Sequence, residues 1–237
     1  MRRGDAPTPA AHMVGRMPWD QLIPHLGAAS GIDSTGQALA KLRVFAERLI
    51  EWNHRVSNLI SPNDEQRLVE RHILESLEPA PLLRESGVQS LIDFGSGAGF
   101  PALPLAIAGV GEQWTLVESR RPKTLFLQKM IADLELPNVR VIHARLEVIA
   151  AGQDRPQVDA LTSRATMRAG PTLEIAKAIV REGGYAFLWK GSGVQDELSS
   201  SQVWKQDWTL ENSASLRGGP VSILTLRRIN PTQLSEP

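Results

Sequence analysis

The sequence predicts an α/β fold: a doubly wound, mostly parallel sheet of seven strands, preceded by a helical extension. Three observations carry this. From residue 88 onward, short apolar runs alternate with helical segments, the pattern of a parallel sheet covered on both faces. The first of those runs ends in a glycine-rich loop that leads into a helix, the place where open α/β sheets bind ligands. Ahead of it, Leu42, Phe45, Leu49, Trp52, Val56 and Leu59 recur at steps of three and four, one apolar stripe on a helix.

The elements follow in order. Residues 1–30, rich in Pro, Ala and Gly, read as a flexible arm. Their early arginines are not followed by the apolar segment of a secretory signal. Residues 31–85 read as a helical subdomain. Ser34-Thr-Gly-Gln37 forms a capping box, with Ser34 as the cap and Gln37 reaching back. Ser61-Pro62 closes the striped helix and opens the next, because Pro suits a first turn. That second helix spans residues 64–78, with Val69, Ile73 and Leu77 on one face, and Pro79 and Pro81 stop it.

Residues 86–237 carry the sheet. Its expected strands are Ser90–Phe94, Trp114–Glu118, Val139–His143, Asp159–Ser163, Tyr185–Lys190, Gln202–Leu210 and Val221–Arg227. Helices are expected at 101–109, 122–134 and 170–181. The last two strands, joined through Gly218-Gly219-Pro220, form an antiparallel hairpin at the sheet edge.

Composition narrows the function. Lys and Arg number 26, as do Asp and Glu, so the formal charge is zero. That excludes a polybasic protein holding nucleic acid by bulk charge, but a local basic face is still permitted. The absence of cysteine excludes disulfides, cysteine metal sites and cysteine nucleophiles. His12, His25, His54, His72 and His143 show no metal-ligand spacing, so no metal is expected. Ser163 lacks a G-x-S-x-G context, so no hydrolase triad is expected. No run of about 18 apolar residues predicts a membrane span, and the expected home is the cytoplasm.

The most informative segment is Leu91-Ile-Asp93-Phe-Gly95-Ser-Gly97-Ala-Gly99-Phe100-Pro101. Its glycines, Gly95, Gly97 and Gly99, let backbone approach a ligand closely. The following helix offers free N–H groups at its start. No Gly-Lys-Ser/Thr follows, so this is not a P-loop. Read as D-x-G-x-G-x-G, the loop places Asp93 two residues before its first glycine. Such an acid suits a cofactor with an ammonium group and a sulfonium, and S-adenosylmethionine has both. Glu118, ending the second strand, can take both hydroxyls of a ribose. Dinucleotide-binding proteins use an acid at the same place, so Glu118 alone does not decide between the two cofactors.

The segment from Asp93 to Ile107 resembles the cofactor loop of the RsmG (GidB) family of 16S ribosomal RNA methyltransferases. The similarity continues through Leu116-Val-Glu118-Ser119, Lys123-Thr-Leu-Phe126-Leu127, Arg145-Leu146-Glu147, Thr162-Ser-Arg164-Ala165 and Lys190-Gly191. Upstream, Trp52-Asn53, Asn58-Leu59, Arg71-His72 and Ser76 match the family's first helices. The resemblance spans roughly residues 42–191. Ala102 departs from it, standing where the family usually has glycine, and so adds a methyl beside the loop. Arg121-Pro122 departs as well, preceding Lys123 where a plainer polar stretch is usual.

The resemblance implies a Rossmann-like class I methyltransferase fold and transfer from S-adenosylmethionine to N7 of a guanine. The target lies in the decoding-region loop of 16S rRNA, free or in the small ribosomal subunit, and the enzyme is expected to act as a monomer. It implies cofactor contacts at Gly95, Phe100, Glu118, Leu146, Glu147 and Arg164, with Asp93, Gly97 and Gly99 shaping the loop. Guanine N7 carries a lone pair and no proton, so no general base is expected and catalysis rests on alignment.

That edge is hard to reach in A-form RNA, so the base must be splayed out or lie in a loop. Phe100, Tyr185 and Trp189 are stacking candidates as well as ordinary core aromatics. Arg120, Arg121, Lys123, Arg168 and Lys190 are RNA-binding candidates near strand ends. Three alternatives stay open: a methyltransferase of the same fold acting on a small molecule or protein, a nicotinamide-dinucleotide dehydrogenase, and a non-catalytic RNA-binding module. A deep enclosed substrate pocket, a bound dinucleotide, or RNA binding without cofactor uptake would respectively select each.

Overall fold

A computed structural model describes residues 8–26, 34–200 and 203–229. Among these residues the sheet has seven strands. They are β1 Ser90–Phe94, β2 Gln113–Glu118, β3 Val139–His143, β4 Val158–Arg164, β5 Val180–Lys190, β6 Trp208–Ser215 and β7 Ser222–Arg228. Their order is β3-β2-β1-β4-β5-β7-β6. The first five strands pair in parallel, and β7 runs antiparallel to both β5 and β6. The late hairpin predicted from the sequence is therefore present.

Helices α1 Pro9–Val14, α2 Ser34–Arg55, α3 Pro62–Gln66, α4 Glu75–Leu77 and α5 Ala80–Glu85 precede the sheet. Helices α6 Ala102–Ile107, α7 Arg121–Asp133, α8 Leu146–Ala151, α9 Ala169–Ala176 and α10 Val194–Ser200 follow in the chain between its strands. Successive strand residues enter opposite apolar layers, as period two requires. Leu91, Leu116 and Phe187 pack with α2, α6 and α7, while Ile92, Val117 and Leu188 pack with α8, α9 and α10. The helices before β1 share the first of these layers with the sheet. No helix among the described residues is long and apolar enough to cross a membrane.

Several elements differ from the sequence expectation. Part of the expected arm is ordered. Helix α1 and a 3₁₀ turn at Trp19–His25 bury Val14, Trp19 and Leu22 in the same core, because isolated apolar residues can dock without any periodic signal. Helix α2 buries Leu42, Phe45 and Leu49 but ends at Arg55, leaving Val56 exposed. The Ser34 side chain, read as its cap, lies outside the described residues. Asn53 turns the chain instead: its Oδ1 accepts from the Leu59 and Ile60 amides and its Nδ2 donates to Glu65. Ser61 caps α3 as expected, accepting from the Asp64 amide.

The single helix expected over 64–78 is broken into α3, a π-helical segment at Leu68–Leu74, and α4. Pro81 does not stop it but sits in the first turn of α5. Residues 170–181 are helical only to Ala176, because the chain enters β5 at Val180. The strand expected at Gln202–Leu210 is instead a 3₁₀ turn at Val203–Gln206 followed by β6, whose register is set by pairing with β7. Helices α8 and α10 are too short to leave a periodic trace in the sequence.

Candidate active site

Strands β1 to β4 run parallel and end at Phe94, Glu118, His143 and Arg164 on one edge of the sheet. A cavity of about 380 Å³ opens there, with Gly95, Glu118, Lys123, Leu146, Glu147 and Thr166 in its wall, within the size range of small-molecule sites. A larger cavity of about 520 Å³ lies between α10 and β6. Among the described residues no acidic one lines it, and it lies away from the ends of β1 to β4.

The glycine loop crosses from β1 into α6 with positive φ at Gly95, Gly97 and Gly99. At Gly95 an added Cβ would lie 2.0 Å from Thr166 Cγ2. The loop and the turn after β4 therefore close on each other only because residue 95 has no side chain. The amides of Gly95 and Ser96 donate to the Val117 carbonyl at 2.9 and 3.1 Å, fastening the loop to β2.

The Glu118 carboxylate is buried. Its Oε2 accepts from the Gly97 amide at 2.9 Å and its Oε1 from the Arg120 amide at 2.7 Å. Each oxygen keeps a further acceptor site, so the group can hold the loop and still receive two hydroxyls. Asp93 is also buried. Its Oδ1 accepts from Thr162 Oγ1 at 2.6 Å, and its Oδ2 is buried without a partner. Burial pushes its carboxyl up to about 7, opposed by the Thr162 hydrogen bond and assisted by the charge of Glu118. An orphaned buried carboxylate oxygen beside the glycine loop fits a cofactor that brings a hydrogen-bond donor or a cation.

The structure brings Gly95, Glu118, Leu146, Glu147, Arg120 and Lys123 together around the cavity. Arg121 and Arg168 are exposed at the starts of α7 and α9 and do not line it. Three of the expected site residues have side chains engaged away from the cavity. Phe100 is buried against Phe45 and His72, so its ring belongs to the core and not to the cavity wall. Arg164 is engaged with the helical layer: Nη2 donates to the Arg71 carbonyl at 2.6 Å and pairs with Glu75 at 2.7 Å. Lys190 is not a free rim cation, because it is buried, donates to the Met167 carbonyl and pairs with Glu197.

Trp189 is likewise a core residue, donating to the Glu75 carbonyl at 2.8 Å. Tyr185 stacks on Phe187, away from the cavity. Ala102 is fully buried at the start of α6 and does not narrow the cavity. Sequence reasoning missed Thr166 and Met167, which line the wall opposite the glycine loop. Their position two and three residues past the end of a parallel strand was the available signal.

This sheet order, with its glycine loop after β1 and an acid ending β2, defines the Rossmann-like methyltransferase class. A solved S-adenosylmethionine-dependent methyltransferase from Aquifex aeolicus superimposes with a TM-score of 0.54 at 17% identity, covering 72% of this chain and all of that one. At that identity the likeness concerns the fold. The chain belongs to the GidB family, rRNA small subunit methyltransferase G, whose model matches residues 38–215. It is 36% identical over 172 residues to ribosomal RNA small subunit methyltransferase G of Desulfitobacterium hafniense, covering 72% of this chain and 70% of that protein. It is 37% identical over 186 residues to the protein of the same name from Chloroflexus aggregans, covering 77% and 76%.

Proposed function

We propose that the chain methylates N7 of a guanine in the decoding-region loop of 16S rRNA, in the cytoplasm, with S-adenosylmethionine as donor. The observation that carries this reading is the buried Glu118 carboxylate beside the glycine loop, in a member of this family. Glu118 receives the ribose hydroxyls, Leu146 and Glu147 flank the adenine, and Asp93 answers the ammonium group. Gly95 lets the donor lie against backbone. When bound, the donor supplies a sulfonium-activated methyl group.

The chain's own contribution is then alignment. The N7 lone pair needs no proton removed, so the residues around the cavity hold the base, methyl carbon and sulfur in line. Fixed dipoles of the loop favour movement of positive charge from sulfur to the base. Arg120, Arg121, Lys123 and Arg168 supply a cationic rim for RNA phosphates despite the zero net charge.

Incubation with methyl-labelled S-adenosylmethionine and either 16S rRNA or small subunits, followed by mapping of the modified nucleotide, tests the proposal. Label at N7 of one guanine in the decoding-region loop is expected. Label elsewhere, or none, overturns it.

A further inference from the structure

The cavity wall opposite the glycine loop is the turn Ala165–Met167. Ala165 holds a left-handed φ of 54°, a conformation that residues with a side chain adopt at a cost and keep only when their surroundings impose it. Two side chains grip the chain just beyond it. Lys190 ends β5, one residue past Trp189, which is in register with Arg164 on β4. Its side chain is only 10% exposed. Its Nζ donates to the Met167 carbonyl and lies 3.0 Å from Glu197 Oε2. That same carboxylate oxygen accepts from the Ala169 amide at 2.9 Å. Lys190 and Glu197 thus fasten the backbone on both sides of Arg168. On the near side the Ser163 and Thr166 hydroxyls are hydrogen-bonded to each other, and the Thr166 methyl closes over Gly95.

A buried ammonium persists only where acceptors replace its lost water, and here the acceptors are one backbone carbonyl of the turn and one carboxylate. We propose that Lys190, with Glu197, is a positioning residue of the donor pocket. It holds the 165–167 turn as the pocket wall and makes no contact with RNA. This rests on the reading of that pocket as the S-adenosylmethionine site. It also accounts for a charged residue at a strand end that contributes nothing to the rim. Arg168, exposed between the two held points, is set in place by the same grip.

The test uses Lys190→Met and Glu197→Gln in the full chain. Hydrogen exchange over residues 165–168 is measured without ligand, S-adenosylmethionine affinity by calorimetry, and the salt dependence of rRNA binding by titration. In Lys190→Met, exchange of the turn accelerates and donor affinity falls roughly tenfold, the scale on which loss of a supporting contact alters a neighbouring site. The salt slope stays that of the parent. Glu197→Gln shifts exchange and affinity in the same direction by less, and the double variant is no worse than Lys190→Met alone. If Lys190→Met fails to fold, Glu197→Gln carries the same comparison.

Unchanged exchange and donor affinity overturn the proposal. So does a salt slope shallower by about one, which marks a phosphate contact. If the parent protein takes up no S-adenosylmethionine, the functional reading fails, while the exchange measurement still decides whether Lys190 holds the turn.

Discussion

The imidazole of His72 stacks on the ring of Phe100 with centroids 4.9 Å apart, joining the π-helical segment to the end of the glycine loop. Phe100 in turn packs on Phe45 of α2 at 5.3 Å. The helical layer therefore braces the loop that the sheet presents. π-Helical turns recur at functional sites, and here the segment carries both the stacked ring and the carbonyls that receive Arg164.

Burial, followed by the charge of Arg164, pushes His72 down to about 4, with Asp64 opposing and Arg71 assisting. The unfolded ring titrates near 6.5. The folded state thus has its full contribution above that value and loses it as pH falls toward 4. Thermal melts across pH 7 to 4 should show a falling melting temperature. His72→Phe, which keeps the stack, should lose a share of that slope. Identical slopes in the two proteins would contradict the assignment.

Arg164 and Glu75 form a buried pair at 2.7 Å, with side chains 13% and 7% exposed. Glu75→Ala strands the guanidinium and should destabilise the fold by about 3–5 kcal/mol in denaturant unfolding. Arg164→Met with Glu75→Leu should cost less, because no buried charge is left behind. A loss of about 1 kcal/mol or less for Glu75→Ala, the size of a surface pair, would show that the two are not buried together in solution.

Asp93, with its carboxyl near 7 through burial, should ionise when a cationic group of the donor arrives. Binding below pH 7 then releases a proton, and affinity rises with pH up to about 7 before levelling. For stability alone, the raised value favours the fold below 3.8 and loses that contribution as pH rises through 7. Asp93→Asn should bind the donor more weakly and without pH dependence. Calorimetry in buffers of different ionisation heat reads the proton directly, and the absence of any release would refute the role.

Replacing Arg121 or Arg168 with Ala should weaken rRNA binding and make the plot of log affinity against log salt shallower by roughly 0.7–0.9 per lost phosphate contact. Donor affinity should not change. A parallel line for both variants would remove them from the RNA interface.

The middle of the sheet was legible because β1, β2, β4 and the end of β5 are apolar runs buried on both faces. β1 and β3 fall on the expected residues, and the glycine loop marked the ligand edge. Glu118 was legible for the same reason, as an acid closing an apolar run. The internal partners of Arg164 and Lys190 were not legible, because a basic residue at a strand end looks alike whether it faces a cofactor, RNA or an internal acid. Their partners lie far along the chain or on another element: Glu75 is 89 residues before Arg164, and Glu197 sits on α10. The π-helical break was hidden because Val69, Ile73 and Leu77 keep an ordinary helical spacing through it.

The cavity beside Glu118 is the proposed cradle of a methyl-donor nucleoside. Calorimetric titration of S-adenosylmethionine into the parent protein and into Glu118→Ala tests it most directly. Saturable binding to the parent is expected, with a loss of at least about tenfold in the variant, since charge-assisted hydrogen bonds to the ribose are removed. No heat with S-adenosylmethionine, together with clean saturation by a nicotinamide dinucleotide, would contradict it.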